Sequence, residues 1–145
     1  MSSHLVVDAC VVAKLYLRDE YLVEEADDLF RRFTQGELEL FAPRLIRYEV
    51  PASIRTACRQ GRLPPETSLD AVQRFHQLPL SVVVETPAAI EAAFELSVRH
   101  ECSLYDAVYL QLARDFSMEF VTADDRLYRR VSRELPYIRS LQNFT

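Results

Sequence analysis

Short apolar runs alternate with longer amphipathic stretches along this chain. Leu5-Val6-Val7 lies in a run at 4–8 that reads as a buried strand, because adjacent apolar residues leave no polar face. Residues 9–17 and 22–35 read as helices, and the second meets a natural stop at Gly36. Leu38 to Phe41 reads as a short strand. Pro43 takes the favoured first position of a helix running to about Gln60, with Gly61 behind it. Pro64-Pro65 opens another helix, to about Gln77. Ser81 to Val84 is rich in β-branched residues and reads as a strand. Pro87 starts a helix to about His100, and Ser103 starts the next, to about Phe116. Glu119 to Val121 reads as a strand, Ala123 to Arg133 as a helix, and Tyr137-Ile138 as a last short strand.

Strands separated by helices predict an α/β fold in three layers, with a central, mainly parallel sheet covered by helices on both faces. At 145 residues the chain reads as one domain spanning 1–145. Sheets of this kind place function at the carboxyl ends of their strands. Asp8 stands at the end of the first strand, and Asp124 follows Glu119-Phe120-Val121-Thr122. Two further acids stand in helices: Glu49 within Leu45-Ile46-Arg47-Tyr48-Glu49-Val50, and Asp106 early in the helix that begins at Ser103.

Composition narrows the setting. Hydrophobic residues make up 49%, enough for a substantial core, and two glycines leave little room for flexible linkers. No apolar run is long enough to span a bilayer, and the amino-terminal residues lack the pattern of a signal peptide. Cys10, Cys58 and Cys102 are odd in number and far apart, which suits reduced thiols in a cytoplasmic protein rather than a disulfide frame or a zinc site. The net charge of −5 argues against a non-specific nucleic-acid binder. Lys14 is the only lysine. The arginines suit phosphate recognition, and a GC-rich coding sequence would produce them equally well.

Most of the acids have a local explanation beside a chemical one, though Asp124 is less neatly covered by it. Asp8 precedes a helix and can cap it. Ser103-x-x-Asp106 is a capping-box pattern, and Thr122-x-x-Asp125 repeats it. Glu49 is harder to explain locally. It falls at the edge of the helix face that carries Val50 and Ala57, where an acid is partly desolvated and wants a partner. No lysine or arginine sits beside all four acids, and a divalent cation would hold them together.

Taken jointly, Val7-Asp8-Ala9, Tyr48-Glu49-Val50, Ser103-Leu104-Tyr105-Asp106-Ala107 and Val121-Thr122-Ala123-Asp124 resemble a PIN domain, in the order and spacing of the VapC-type toxins of toxin–antitoxin pairs. The resemblance covers essentially the whole chain. It implies a Mg²⁺- or Mn²⁺-dependent endoribonuclease with Asp8, Glu49, Asp106 and Asp124 as its acidic cluster. Asp8 and Asp106 would be the core ligands of a first ion, with Glu49 and Asp124 completing the shell. Thr122 would orient a carboxylate or water, and Asp125 would be a helix cap or an outer acid. The ion would invert the local charge, acidify water for attack on phosphorus and stabilise the leaving oxygen. The resemblance also implies an RNA substrate, a homodimer and a small antitoxin that covers the acidic groove. The apolar residues Leu15, Leu22, Leu29 and Phe33 exceed what one small core readily places, which fits a dimer.

The chain departs from the family pattern at two points. Cys10 stands where serine or asparagine is usual; a thiol is the poorer hydrogen-bond partner, and Cys10 reads as packing. Pro51 stands where a helix former is usual, two residues from Glu49, and removes one helical hydrogen bond.

Rival readings are a receiver domain, a dehalogenase-type phosphatase, a non-catalytic PIN-like module that binds RNA or protein, and a PIN nuclease that acts on DNA. The first lacks its acid pair and late lysine, and the second fails because Asp8-Ala9-Cys10 is not Asp-x-Asp. His4, His76 and His100 lie outside the motifs and read as surface residues. Arg55, Arg59 and Arg62, like Arg126, Arg129, Arg130 and Arg133, would either guide a phosphate backbone or form solvated faces.

Overall fold

In the computed structural model, which describes residues 2–144, five parallel strands form one sheet: β1 (Ser3–Val7), β2 (Leu38–Pro43), β3 (Ser81–Val83), β4 (Glu119–Thr122) and β5 (Ile138–Ser140). Their order across the sheet is β3-β2-β1-β4-β5. Leu5, Val6 and Val7 are all buried in succession, as are Phe120, Val121 and Thr122. Neighbouring residues of a strand face opposite ways, so burial of both sets means that helices cover both faces of the central strands. The helices are α1 (Ala9–Val12), α2 (Val23–Thr34), α3 (Ile46–Arg59), α4 (Pro65–His76), α5 (Pro87–His100), α6 (Leu104–Asp115) and α7 (Asp125–Val131).

The α/β alternation predicted from the sequence is the one observed, with three local differences. The helix expected over 9–17 is one α-helical turn followed by a 3-10 turn, Ala13–Leu15. Pro43 does not open a helix. It ends β2, opposite Val83 of β3, and the Arg44 N–H continues the ladder by donating to the Val83 carbonyl at 2.9 Å. A proline without an N–H is tolerated at a strand end as readily as at a helix start. The last strand is longer than expected, because Ile138, Arg139 and Ser140 all pair with β4. Elsewhere the punctuation acts as read. Gly36, at φ +79°, ends α2 in the left-handed region that favours glycine.

Leu29 is part of the core, and Leu15, Leu22 and Phe33 pack against it. These four residues are therefore absorbed within the fold and are not an apolar surplus. The strand order places a topological switch at β1. The chain leaves β1 for β2 and β3 on one side and returns to β4 on the other. A crevice opens at the carboxyl ends of β1 and β4, where such folds bind their ligands.

Candidate active site

Asp8 follows β1 directly, and its backbone N–H donates to the Val121 carbonyl at 3.0 Å, which extends the β1–β4 pairing by one step. It precedes α1 but makes no side-chain cap. The side chain, only 7% exposed, instead accepts the Thr122 hydroxyl proton on Oδ2 at 2.7 Å. Thr122 also accepts the Asp124 backbone N–H at 3.0 Å. A hydroxyl has one proton and two lone pairs. With the proton given to Asp8, the Cys10 thiol, 3.6 Å away, acts as donor to Thr122. Cys10 is thus more than packing: it completes the hydrogen-bonding of Thr122. Burial first, and then the charge of Asp8, raise its thiol pKa and keep it protonated.

Glu49 projects from the first turn of α3, which runs unbroken through Pro51 to Arg59. Its Oε1 is buried without a hydrogen-bond partner, and so is the hydroxyl of Tyr109 on α6. The two side chains are neighbours: each perturbs the other's titration, and Tyr109 also feels Asp8. The Tyr109 hydroxyl is a donor beside the Glu49 carboxylate, just outside ideal hydrogen-bond geometry, and lowers the Glu49 pKa against the effect of burial. Tyr109 escaped the sequence reading. The available signal was its position three residues after Asp106, on the same helix face.

Asp106 lies in the first turn of α6, whose cap, Ser103, accepts the Asp106 backbone N–H at 3.0 Å. The capping pattern is therefore real: Ser103 holds the Asp106 backbone N–H, its hydroxyl also opposes the effect of burial on the Asp106 carboxylate, and that carboxylate lines the crevice. Asp124 has two roles. It caps α7, accepting the backbone N–H groups of Arg126 and Leu127 on Oδ1 at 3.0 and 3.1 Å, and it lines the cavity. Asp125 is neither cap nor cavity residue; it is exposed and pairs with Arg129 one turn on, at 2.7 Å. The capping role expected for it falls to its neighbour Asp124.

Asp8, Glu49, Asp106 and Asp124 line one cavity of about 350 Å³, together with Cys10 and the α3 residues Ala52, Ser53 and Thr56. No lysine or arginine lines it. Burial, and then the negative charge of Asp106, push the Asp8 pKa up to about 7 against the pull of its Thr122 hydrogen bond. Burial raises Glu49 and Asp106 as well, with Asp106 adding to Glu49 and Asp124 adding to Asp106. The donor set is all oxygen apart from one protonated thiol, and it includes the orphaned Glu49 Oε1. That fits a hard divalent cation. Among the described residues no three His, Cys, Asp or Glu side chains converge closely enough to hold an ion as they stand. The acids share a cavity rather than a point, as mutually repelling charges would.

Other candidates lie elsewhere. Arg62 forms a two-pronged ion pair with Asp19 at 2.8 and 2.9 Å and a further bond to Glu20 at 3.2 Å, so it is committed within the fold. His100 is not a surface residue: its side chain is 7% exposed and its Nδ1 lies 3.3 Å from Glu134. His4 and His76 are exposed.

The sequence profile of the PIN domain matches residues 5–133. Ribonuclease VapC3 of Pyrobaculum aerophilum is 28% identical over 124 residues, covering 85% of this chain and 91% of that relative. Ribonuclease VapC1 of Mycobacterium tuberculosis is 28% identical over 121 residues, covering 83% and 90%. A toxin–antitoxin complex from Klebsiella pneumoniae contains a chain of the same fold, with a TM-score of 0.68, 13% identity, and coverage of 94% of this chain and 97% of that one.

Proposed function

This chain belongs to the PIN domain family, and we propose from that membership that it is an Mg²⁺- or Mn²⁺-dependent endoribonuclease, the toxin of a toxin–antitoxin pair. The observation that carries the reading is the cavity itself: four acids from β1, α3, α6 and the β4–α7 junction, with no cationic side chain among them. Asp8 is buried and Glu49 half-buried, and no cation lines the cavity beside them, which is unfavourable unless something else supplies the charge. Both relatives named above are ribonucleases that align along most of their length.

Asp8, Asp106, Glu49 and Asp124 would hold the ion. Once bound, it supplies a local positive charge, a more acidic water and stabilisation of the leaving oxygen. The chain's own contribution is positioning. Thr122 takes Oδ2 of Asp8, which leaves Oδ1 as the oxygen available to the cavity. The α7 cap fixes Oδ1 of Asp124 in the same way. Glu49 Oε1 is an acceptor already stripped of water, with the Tyr109 hydroxyl as its neighbour, so it stands ready to take a new partner.

A small antitoxin covering the crevice is supported by the fold shared with the toxin–antitoxin complex. A homodimer is supported by α5, where Ile90, Phe94 and Val98 recur at four-residue spacing and are 43%, 59% and 64% exposed. An apolar stripe of this kind favours burial against a partner. Three unbridged cysteines suit the cytoplasm, and among the described residues no helix is long and apolar enough to cross a membrane.

The decisive experiment is cleavage of single-stranded RNA with Mg²⁺ or Mn²⁺ and then with chelator. Equal cleavage in both would remove the metal. Preference for DNA of the same sequence would move the substrate class. Binding without cleavage would leave a non-catalytic module.

A further inference from the structure

A second polar pocket, of about 240 Å³, opens beside the acidic cavity. Asp106 and Asp124 line both. The far wall is different in kind: it carries Arg126 and Arg130 of α7, with Ser103 alongside. The two arginines are four residues apart and so share one helix face. Arg129, between them, is turned away into its ion pair with Asp125. Among the described residues neither Arg126 nor Arg130 has a carboxylate within 4.0 Å, although two acids line the same pocket. Arg126 makes no side-chain hydrogen bond, and the recorded partner of Arg130 is the backbone carbonyl of Glu101. Other arginines are held in ion pairs, as in Arg18–Asp27, Arg62–Asp19, Arg74–Asp70 and Arg139–Glu119; what sets Arg126 and Arg130 apart is their place in a pocket that shares two acids with the cavity.

Two guanidinium groups on one wall of a polar pocket, Arg126 free of side-chain bonds and Arg130 holding only the Glu101 carbonyl, recognise an anion that carries several oxygens, for which the arginine fork is suited. The shared acids make the pocket continuous with the cleavage cavity. An RNA strand with one phosphodiester at the four acids that leaves the cavity past Asp106 and Asp124 enters this pocket. Resting on the ribonuclease reading, we propose that Arg126 and Arg130 form a phosphate subsite that holds the backbone of the RNA substrate next to the scissile linkage and sets the strand's register in the cavity.

The test compares Arg126→Gln, Arg130→Gln and the double variant with Arg129→Gln, using a single-stranded oligoribonucleotide of mixed sequence as substrate. A contact made equally in ground and transition states changes KM and leaves kcat alone. Each pocket variant is expected to raise KM about tenfold, roughly the weight of one charge-assisted contact. The dependence of log binding on log salt should flatten by about 0.7 for each arginine removed. Arg129→Gln should change neither. Anisotropy binding of the same oligonucleotide to the Asp8→Asn protein and its Arg126→Gln derivative reads the contact without cleavage. The Arg126 side chain makes no internal hydrogen bond, so Arg126→Gln leaves the α7 cap intact. Arg130→Gln is accompanied by a melting curve because of the Glu101 contact. Cleavage by the parent with KM and salt slope unchanged in the Arg126 and Arg130 variants would overturn the subsite alone. An inactive parent that does not bind the oligonucleotide would overturn the ribonuclease reading and the subsite with it.

Discussion

Thr122 donates its hydroxyl proton to Asp8, 114 residues earlier in the chain, at 2.7 Å. The bond joins the ends of two adjacent parallel strands, and both groups are buried. It decides which of two local readings of Asp8 holds, since a side chain committed to Thr122 is not capping α1.

Asp8→Asn keeps the shape and still accepts the Thr122 proton, but it removes the charge. RNA cleavage is expected to fall to background while chemical denaturation shows equal or higher stability, because a buried repelling charge is gone. Retained cleavage would remove Asp8 from the site.

Stability should also respond to pH through Asp8. Its folded pKa of about 7 lies above the ordinary value of 3.8. Between those values the folded chain keeps a proton that the unfolded chain releases, so rising pH costs stability across that window and costs no more above it. The stability gap between Asp8→Asn and the parent is expected to widen from pH 4 to pH 7.5, by on the order of a few kcal/mol without added metal. Added Mg²⁺ should close the gap at the upper end. Denaturation curves across that range measure it, and a constant gap would refute the burial effect.

Asp124 separates cap from chemistry. Asp124→Asn should abolish cleavage and keep α7 capped, whereas Asp124→Ala should lose both cleavage and about 1 kcal/mol of stability. Equal stability of the two variants would mean that the capping bonds contribute nothing.

Pro51 interrupts the hydrogen-bond ladder of α3 at the Arg47 carbonyl, yet Glu49 still reaches the cavity. Pro51→Ala is therefore expected to raise stability by about 1–3 kcal/mol with cleavage unchanged. Reduced cleavage would show that the proline aims Glu49.

The α5 stripe predicts a dimer at micromolar concentration by sedimentation equilibrium, converted to monomer by Phe94→Glu. A parent that sediments as a monomer would count against the dimer.

The fold was legible because it is written in local signals: strand-length apolar runs, Thr86-Pro87 and Ser103 at helix starts, Gly36 at a helix end. What was missed is non-local. Pro43 carries the same signal at a helix start and at a strand end, and only its position opposite Val83 separates them. Arg62 reads as a free cation until Asp19, far away in sequence, is seen beside it. Tyr109 looks like core because it is core; its importance lies in Glu49, 60 residues away, whose carboxylate lies beside its hydroxyl. The acids could be listed from the sequence, but whether each caps, pairs or faces the crevice depended on partners from other strands and helices.

The strand order has a consequence for timing. The sheet's central strand is the first one made, and its neighbour β4, whose last residue holds Asp8 and whose following turn supplies Asp124, is the fourth of the five. A chain emerging from the ribosome amino end first carries Asp8 and Glu49 long before Asp106 and then β4 exist to complete the site. Through most of its own translation the protein has no assembled site with which to attack the message that encodes it.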